Sequence, residues 1–249
     1  MKPYLLLSND DGISSPFLPI FARALAKVAD VDIVVPANEQ SWIGRAYSRH
    51  SELVVKEADF MGARCLTVSG TPSDCVNIAL SHFVKNPDAV ISGLNIGQNV
   101  GFPLLWSSGT FAAAVEAAGW GFAAFAFSMR LEKQFYQQCR IRHEAATGLI
   151  PHLEAASEHA AELVLKTLSQ KTIPAASVMN VNYPIKYTHD TPFEKCVPAR
   201  AKLSSLYVKN NRGGFDFSYA IGETSSPNGE ITDLECLDAL KACYSLISI

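Results

Sequence analysis

The chain has 249 residues, of which 48% are hydrophobic and 18% are charged, and its formal net charge is −3. These values are typical of a folded globular protein and exclude a disordered chain. The slightly negative charge offers no general attraction to duplex nucleic acid or to an anionic membrane, so we expect small-molecule chemistry.

The N-terminal segment MKPYLLLSNDDG has a short apolar run followed at once by acidic residues, which is unlike a secretory or transit peptide. No stretch approaches the roughly 20 consecutive apolar residues of a membrane span. The six cysteines form no C-x-x-C pair, which argues against a zinc knuckle or a redox dithiol. We therefore expect a cytoplasmic protein in which most thiols are small core residues.

The start of the chain predicts a strand, a helix and a second strand. YLLLS, residues 4–8, is a short apolar run that suits a buried parallel strand. Residues 14–30 have apolar side chains at helical spacing, with Ser14 or Ser15 as N-cap, and VDIVVP, residues 31–36, is strand-like. Such a βαβ unit predicts a doubly wound sheet.

The alternation continues through the middle of the chain. The predicted elements are a helix over 74–84, a strand over 88–93, a helix beginning near Thr110, a strand over 121–128, a helix over 153–168 and a strand over 177–184. The segment LNIGQNVG, which follows the third strand, is predicted as a polar loop, and residues 130–150 have no clear pattern.

The last quarter of the chain changes character. Residues 204–222 alternate apolar and polar side chains around NNRGG, which is a β-hairpin signature, and the end predicts one short helix and a final strand. We predict one domain over 1–249, with an α/β core over 1–185, a hairpin arm over 200–225 and a C-terminal helix and strand over 230–249.

Four loops at one edge of the predicted sheet carry polar clusters. In parallel α/β sheets, ligands bind at the carboxyl ends of the strands. The loops at this edge contain two carboxylates (Asp10 and Asp11), a hydroxyl (Ser41) and an amide (Asn95). Hard oxygen donors of this kind suit Mg²⁺, Mn²⁺ or Ca²⁺ and disfavour zinc or copper.

The segment SSGT begins a predicted helix at the same edge. Backbone N–H groups at a helix N-terminus, with the hydroxyls of Ser108 and Thr110 beside Gly109, form a natural phosphate cradle. A divalent metal beside a phosphate implies phosphoryl hydrolysis, in which the ion polarises the phosphoryl oxygen and lowers the pKa of a bound water.

Each element alone has a plainer interpretation. Asp-Asp-Gly is often a simple turn, Ser-Gly-Thr can be an N-cap only, and Asn95 and Asn99 can serve a left-handed backbone. Trp42, Trp106 and Phe102 flank the proposed site and can either stack on a nucleobase or pack in the core. A functional site is favoured because all four clusters fall at one edge.

Other site types have no matching motif. The glycines match neither the P-loop nor the G-x-G-x-x-G fingerprint, and no G-x-S-x-G elbow occurs. An ATP-binding loop, a dinucleotide site and an α/β-hydrolase triad are therefore not indicated.

Six segments together resemble, in order and spacing, the SurE survival-protein family of metal-dependent acid phosphatases and nucleotidases. They are LLSNDDGI, VVPANEQSWIG, VSGTPSDCV, VISGLNIGQNVG, SSGTFAAAVEA and MNVNYP. The resemblance is dense over residues 1–128 and thinner beyond, and the end of the chain resembles the family's TD…GYVSITP segment.

The resemblance implies a Rossmann-like, doubly wound, mostly parallel α/β sheet in a three-layer sandwich with a protruding β-hairpin arm. It implies hydrolysis of nucleoside 5′-monophosphates, with 3′-monophosphates and polyphosphate as further substrates, and assembly into a homodimer or homotetramer. One divalent ion, Mg²⁺ or Mn²⁺, would hold the phosphate and the attacking water. By motif, the metal ligands would be Asp10, Asp11, Ser41 and Asn95, with Asp10 orienting the water, and the phosphate-binding residues would be Asn99, Ser108, Gly109 and Thr110.

Position 40 departs from the family pattern. It is Gln40 where the family generally has Arg, which removes a positive charge near the phosphate. This departure keeps open an alternative function, a catalytically weak protein that binds nucleotide and metal in a regulatory role. A sugar-nucleotide transferase is a weaker alternative, because a donor diphosphate would need more cationic neighbours.

Overall fold

The computed structural model describes residues 2–249, with the backbone alone over residues 140–142. Within this range, nine strands form one central sheet. They are β1 (Tyr4–Ser8), β2 (Asp30–Pro36), β3 (Val55–Phe60), β4 (Ala63–Val68), β5 (Ala89–Ile96), β6 (Ala123–Met129), β7 (Ser177–Tyr183), β8 (Phe193–Lys195) and β13 (Ala242–Ser248).

The strand order is β3-β4-β2-β1-β5-β6-β7-β13-β8. The pairs from β4 to β7 are parallel, whereas β3 and β13 run antiparallel to β4 and β7. The order reverses direction at β1, with β2 on one side and β5 on the other, which is the crevice where such sheets bind ligands. The predicted doubly wound, mostly parallel sheet is confirmed.

The helices complete the secondary structure and lie on both faces of the sheet. They are α1 (Leu18–Val28), α2 (Pro72–Ile78), α3 (Gly101–Ser107), α4 (Gly109–Gly119), α5 (Lys133–Arg142), α6 (Ile150–Gln170) and α7 (Asp233–Asp238). A π-helical turn, Ala79–Phe83, continues α2, and a 3₁₀ turn, Thr147–Leu149, precedes α6. Every helix over the described residues is too short or too polar to cross a lipid bilayer.

Alternation along β1 shows how the two layers form. Leu5 and Leu7 pack into the core that α1 and α6 cover, whereas Leu6 packs into the opposite core, which α2 and α4 cover. Because both faces are buried, the strand has no polar face, as the unbroken YLLL run predicted.

Two predictions about the elements were wrong. The N-cap of α1 is Phe17, which has no capping oxygen, rather than Ser14 or Ser15. The strand predicted over 88–93 continues to Ile96, so Asn95 lies on β5 and not in a loop.

Several short elements were not predicted. The β3–β4 hairpin extends the sheet beyond β2, and α3 occupies the chain between Asn99 and the SSGT segment. The polar segment 130–150 forms α5 and the 3₁₀ turn.

The predicted hairpin is an arm of two short ladders. The inner ladder pairs β9 (Arg200–Leu203) with β12 (Ile221–Ser225), and the outer ladder pairs β10 (Tyr207–Lys209) with β11 (Phe215–Phe217). Asn210 closes the NNRGG turn, because its side-chain oxygen accepts hydrogen bonds from the backbone of Arg212 and Gly214. The predicted terminal helix and strand are α7 and β13.

Candidate active site

A cavity of about 500 Å³ opens at the carboxyl edge of the sheet, between the core and the arm. Five of the eight residues proposed from the sequence line it: Asp10, Ser41, Asn95, Asn99 and Ser108. The other three contact residues that line it: Asp11 contacts Ile96, and both Gly109 and Thr110 contact Asp10. All eight predicted residues therefore belong to one region.

A tight turn after β1 presents Asp10 to the cavity. The Asn9 side chain accepts a hydrogen bond from Gly12 N at 3.0 Å and donates one to Gly12 O at 3.1 Å. Gly12 has φ +78°, a left-handed conformation that glycine adopts without strain. The Thr110 hydroxyl donates to Asp10 Oδ1 at 2.6 Å, which holds the carboxylate against the start of α4.

The neighbouring carboxylate, Asp11, contacts a different strand. Its Oδ2 accepts a hydrogen bond from Ile96 N at 2.9 Å, at the end of β5. The chain has left the strand before both aspartates, since β1 ends at Ser8. The two carboxylates can therefore point to the same side, whereas neighbouring residues within a continuous strand point to opposite faces of the sheet.

The start of α4 approaches Asp10 unusually closely. A Cβ atom at Gly109 would lie 2.7 Å from the Cβ of Asp10 and 3.1 Å from Asp10 Oδ2. The Ser108 hydroxyl oxygen caps the helix by accepting a hydrogen bond from Phe111 N at 3.0 Å. Glycine at this position thus lets the positive end of the 11-residue helix lie against the carboxylate.

Two cavity oxygens are buried without a hydrogen-bond partner among the described residues. They are Ser41 Oγ and Gln98 Oε1. Asn95 adds an amide whose nitrogen donates to Gly97 O at 3.1 Å, so the oxygen is the atom of this amide that can bind a cation. Buried oxygens that lack a donor are costly unless a ligand satisfies them.

Hydrogen bonds from β6 and β7 fix Asn99 in place. The backbone N–H of Asn99 donates to Asn182 Oδ1 at 2.9 Å, and the side chains of Asn180 and Asn182 donate to its backbone oxygen at 3.0 Å. The Asn99 amide nitrogen donates to Ser128 Oγ at 2.8 Å. This loop is therefore held rigid beside the cavity.

Two cationic residues that were not predicted from the sequence also line the cavity. Arg130 and Lys133 lie at the start of the segment that had no clear pattern. Arg130 directly follows β6, so the strand-end rule that selected Asp10 would also have selected it. Both bring a cationic group to the cavity, but the charge of Arg130 is partly compensated by its ion pair with Asp238 at 2.7 Å.

The aromatic wall of the cavity comes partly from the arm. Trp42 contacts Phe217 and Tyr219, with ring centroids 4.8 Å apart in both pairs, and all three line the cavity. Trp106 instead packs against Phe111 outside the cavity. Of the three aromatic residues noted in the sequence, Trp42 is the one that lines the cavity, and Phe102 like Trp106 does not.

A buried carboxylate supports α4 from behind. Glu116, whose side chain is 3% exposed, accepts hydrogen bonds from Arg45 Nη2 at 2.9 Å and Asn77 Nδ2 at 2.8 Å, and also from Tyr47 and Trp120. Burial acts to raise the pKa of Glu116, but these donors outweigh it and lower the pKa below its usual value. Glu116 is therefore a charged anchor for the helix whose first residues approach Asp10.

Known proteins resemble the chain along most of its length. A family model described as "Survival protein SurE" matches residues 5–205. A protein of Methanoculleus marisnigri named 5′-nucleotidase SurE is 37% identical over 186 residues, which cover 75% of this chain and 69% of that protein. A protein of the same name from Methanosarcina acetivorans is 30% identical over 242 residues, which cover 95% of this chain and 88% of that protein.

The fold resembles a solved structure as well. The crystal structure of the SurE protein from Aquifex aeolicus aligns with a TM-score of 0.76 at 23% identity and covers 99% of this chain and 93% of that one. The family model spans the Asp10 turn, the end of β5 and the start of α4, which are the segments that build the cavity. The chain therefore belongs to the survival protein SurE family.

Proposed function

We propose that the protein is a divalent-metal-dependent phosphomonoesterase that hydrolyses nucleoside 5′-monophosphates. The observation that carries the proposal is the convergence of Asp10, Ser41 and Asn95 on one cavity at the start of α4. The relatives named 5′-nucleotidase SurE support the same activity.

The residues of the cavity fit a hard divalent cation. Carboxylate, hydroxyl and amide oxygens are the donors that Mg²⁺ and Mn²⁺ prefer, and Ser41 Oγ is buried without a hydrogen-bond partner among the described residues. We propose that Asp10, Asp11, Ser41 and Asn95 hold the ion. When bound, it would supply Lewis acidity that polarises the phosphoryl group and lowers the pKa of water.

The phosphate would lie at the N-terminus of α4. Backbone N–H groups at Gly109 and Thr110, together with Ser108 and the rigid Asn99 loop, would orient the anion without reorganisation during the reaction. Lys133 adds positive charge along the wall, which offsets the absence of a cation at position 40, whereas the charge of Arg130 is partly compensated by its ion pair with Asp238 at 2.7 Å.

Asp10 has a second role in this proposal. The hydroxyl of Thr110 holds its carboxylate in one orientation, so that Asp10 can accept a hydrogen bond from the attacking water and align it with the phosphorus. The oxygen of the water then bonds to phosphorus as the P–O bond to the nucleoside breaks, the water gives up a proton, and the leaving nucleoside oxygen takes one up.

The nucleoside would lie against the aromatic wall. Trp42, Phe217 and Tyr219 form an apolar surface beside the polar end of the cavity, and the volume of about 500 Å³ lies within the range of small-ligand sites. Aromatic faces stack on any base, so this wall explains binding of nucleosides without selecting one base.

An activity panel tests the proposal. Phosphate release would be measured with 5′- and 3′-mononucleotides, polyphosphate and a generic phosphate ester, with Mg²⁺ or Mn²⁺ and with EDTA. We expect 5′-mononucleotides to be the best substrates and EDTA to abolish release. Binding of metal and nucleotide without turnover on any substrate would contradict the proposal and favour the regulatory alternative.

A further inference from the structure

Three buried cysteines meet at the end of the sheet formed by β8 and β13. Cys196 follows β8, Cys236 lies on α7 and Cys243 lies on β13. Their Sγ atoms all lie within 4.8 Å of one another. The spacing of these residues along the chain is irregular and gave no indication of a site, because only the fold brings them together.

The three thiols form a cluster of their own. These cysteines pack together as a small buried cluster that is separate from the larger apolar cores. Two main-chain oxygens border the cluster: Cys196 Sγ donates to Tyr244 O at 3.3 Å and Cys243 Sγ donates to Asp233 O at 3.8 Å. The ion pair between Lys241 and Glu194, at 2.7 Å, lies near Cys236.

We propose that Cys196, Cys236 and Cys243 bind one thiophilic metal ion through three thiolates, separately from the oxygen-lined cavity. Thiolates select soft ions such as Cu⁺ or Zn²⁺, whereas the cavity oxygens select hard ones. Binding forms three metal–sulfur bonds and releases the three thiol protons to solvent.

The number of ligands distinguishes between the two soft ions. The cluster contains three sulfur atoms, and neither a histidine nor a carboxylate of the described residues joins it. Structural Zn²⁺ sites almost always have four ligands, whereas Cu⁺ accepts three sulfurs. Cu⁺ is therefore the ion expected at this site.

The position of the three cysteines determines how an ion would enter the site and which elements it would connect. Cys196 is 5% exposed and the other two are fully buried, so the ion would enter past Cys196. An ion here would connect β13, α7 and the segment after β8. The carboxylate of Asp233, the first residue of α7, accepts hydrogen bonds from Gly101 N at 2.7 Å and Ala199 N at 3.0 Å. An ion that fixes α7 would therefore also support the chain next to Asn99.

The test uses the reduced, full-length chain under anaerobic conditions with Mg²⁺ in excess to occupy oxygen ligands. Cu⁺ and Zn²⁺ would be added in separate samples, and bound metal would be measured after gel filtration together with sulfur-to-metal charge-transfer absorption. We expect one Cu⁺ per chain, a charge-transfer band and a raised Tm, because the ion binds the folded state. Cys196→Ser should lose all three, and Cys65→Ser, which changes a buried cysteine outside the cluster, should keep them.

Alkylation of the wild-type protein provides a second measurement that does not depend on a variant folding. Bound Cu⁺ should slow alkylation of Cys196, Cys236 and Cys243 relative to Cys65 and Cys139, as read by mass spectrometry. Absence of the band, or an equal band in Cys196→Ser, would overturn the site. A band with Zn²⁺ and none with Cu⁺ would overturn the choice of ion.

Discussion

Gly109 lies so close to Asp10 that even a methyl group at this position would displace the carboxylate side chain. Alanine in the middle of a helix is ordinarily favourable by roughly 0.5–1 kcal/mol relative to glycine. The contact of 2.7 Å with Asp10 Cβ prevents that gain. We expect Gly109→Ala to lower kcat/KM for AMP by about tenfold or more, measured as phosphate release with Mn²⁺.

Gly119, at the other end of α4, is the matched control. A Cβ atom there would meet only Arg45 Nη2 at 3.9 Å, an ordinary contact. Gly119→Ala should leave kcat/KM unchanged and stabilise the protein by about 0.4–1 kcal/mol. Equal activity in the two alanine variants would show that the close approach at Gly109 has no role in the site.

Single residues also show how far the sequence predicts this site. Asp10 and Ser108 could be found because a strand end and a helix start are legible in the sequence, and both line the cavity. The separate contact of Asp11 with Ile96 N could not be predicted, because it depends on how far β5 extends. Arg130 was missed, although the strand before it was predicted and its predicted end lies within two residues of the observed end.

Among the elements, the arm has the most direct effect on substrate choice. Phe217 on β11 and Tyr219 just after it line the cavity with Trp42. A stacked base gains roughly 1–3 kcal/mol, so the double variant Phe217→Ala/Tyr219→Ala should raise KM for AMP by at least about fivefold. KM for a generic phosphate ester without a base should stay the same.

Phe215→Ala controls for a general loss of arm structure. Phe215 lies on the same strand as Phe217 but is 66% exposed and does not line the cavity. Phe215→Ala should leave KM for AMP and KM for the baseless ester unchanged. A rise in KM for the baseless ester in the double variant would mean that the arm acts on the phosphate end and not on the nucleoside.

Elements with a regular burial pattern were predicted better than elements without one, for a physical reason. Burial is regular along β1, β2 and α6, so the patterns of these elements are visible in the sequence. α3 is seven residues long, and its Leu104 packs against residues of the arm, which the sequence places far away. β3, at the sheet edge, has no fully buried residue and has two exposed residues in succession, so it lacks the regular alternation of a strand.

At the scale of the whole molecule, the buried Glu116 and the half-buried His159 make stability fall in acid. Burial lowers the pKa of His159, and hydrogen bonds lower that of Glu116 against the opposing effect of burial. The unfolded chain therefore binds these protons more readily than the folded protein. The contribution of His159 is complete above its ordinary pKa of 6.5, that of Glu116 above 4.5, and each is lost as the pH falls through the lower native pKa.

Glu116→Gln tests the loss of stability below pH 4.5. The variant removes the charge that four donors share, so we expect the free energy of unfolding at pH 7 to fall by about 1–3 kcal/mol. It should also lose much of the wild-type pH dependence below 4.5, as measured by urea unfolding at a series of pH values. Glu57→Gln, at an exposed position on β3, should change neither quantity. An unchanged pH dependence in Glu116→Gln would contradict this account.

The measurement that tests the central proposal most directly is AMP hydrolysis by Asp10→Asn in saturating Mn²⁺. The amide keeps the size of the side chain and can still accept the hydrogen bond from Thr110, so the loss is confined to the negative charge. Metal assistance contributes several kcal/mol to the transition state, so kcat should fall on the order of a hundredfold or more. Asp88→Asn, which alters a carboxylate at the opposite edge of the sheet, should retain wild-type kcat. Full activity in Asp10→Asn, with or without EDTA, would contradict the proposed metal site.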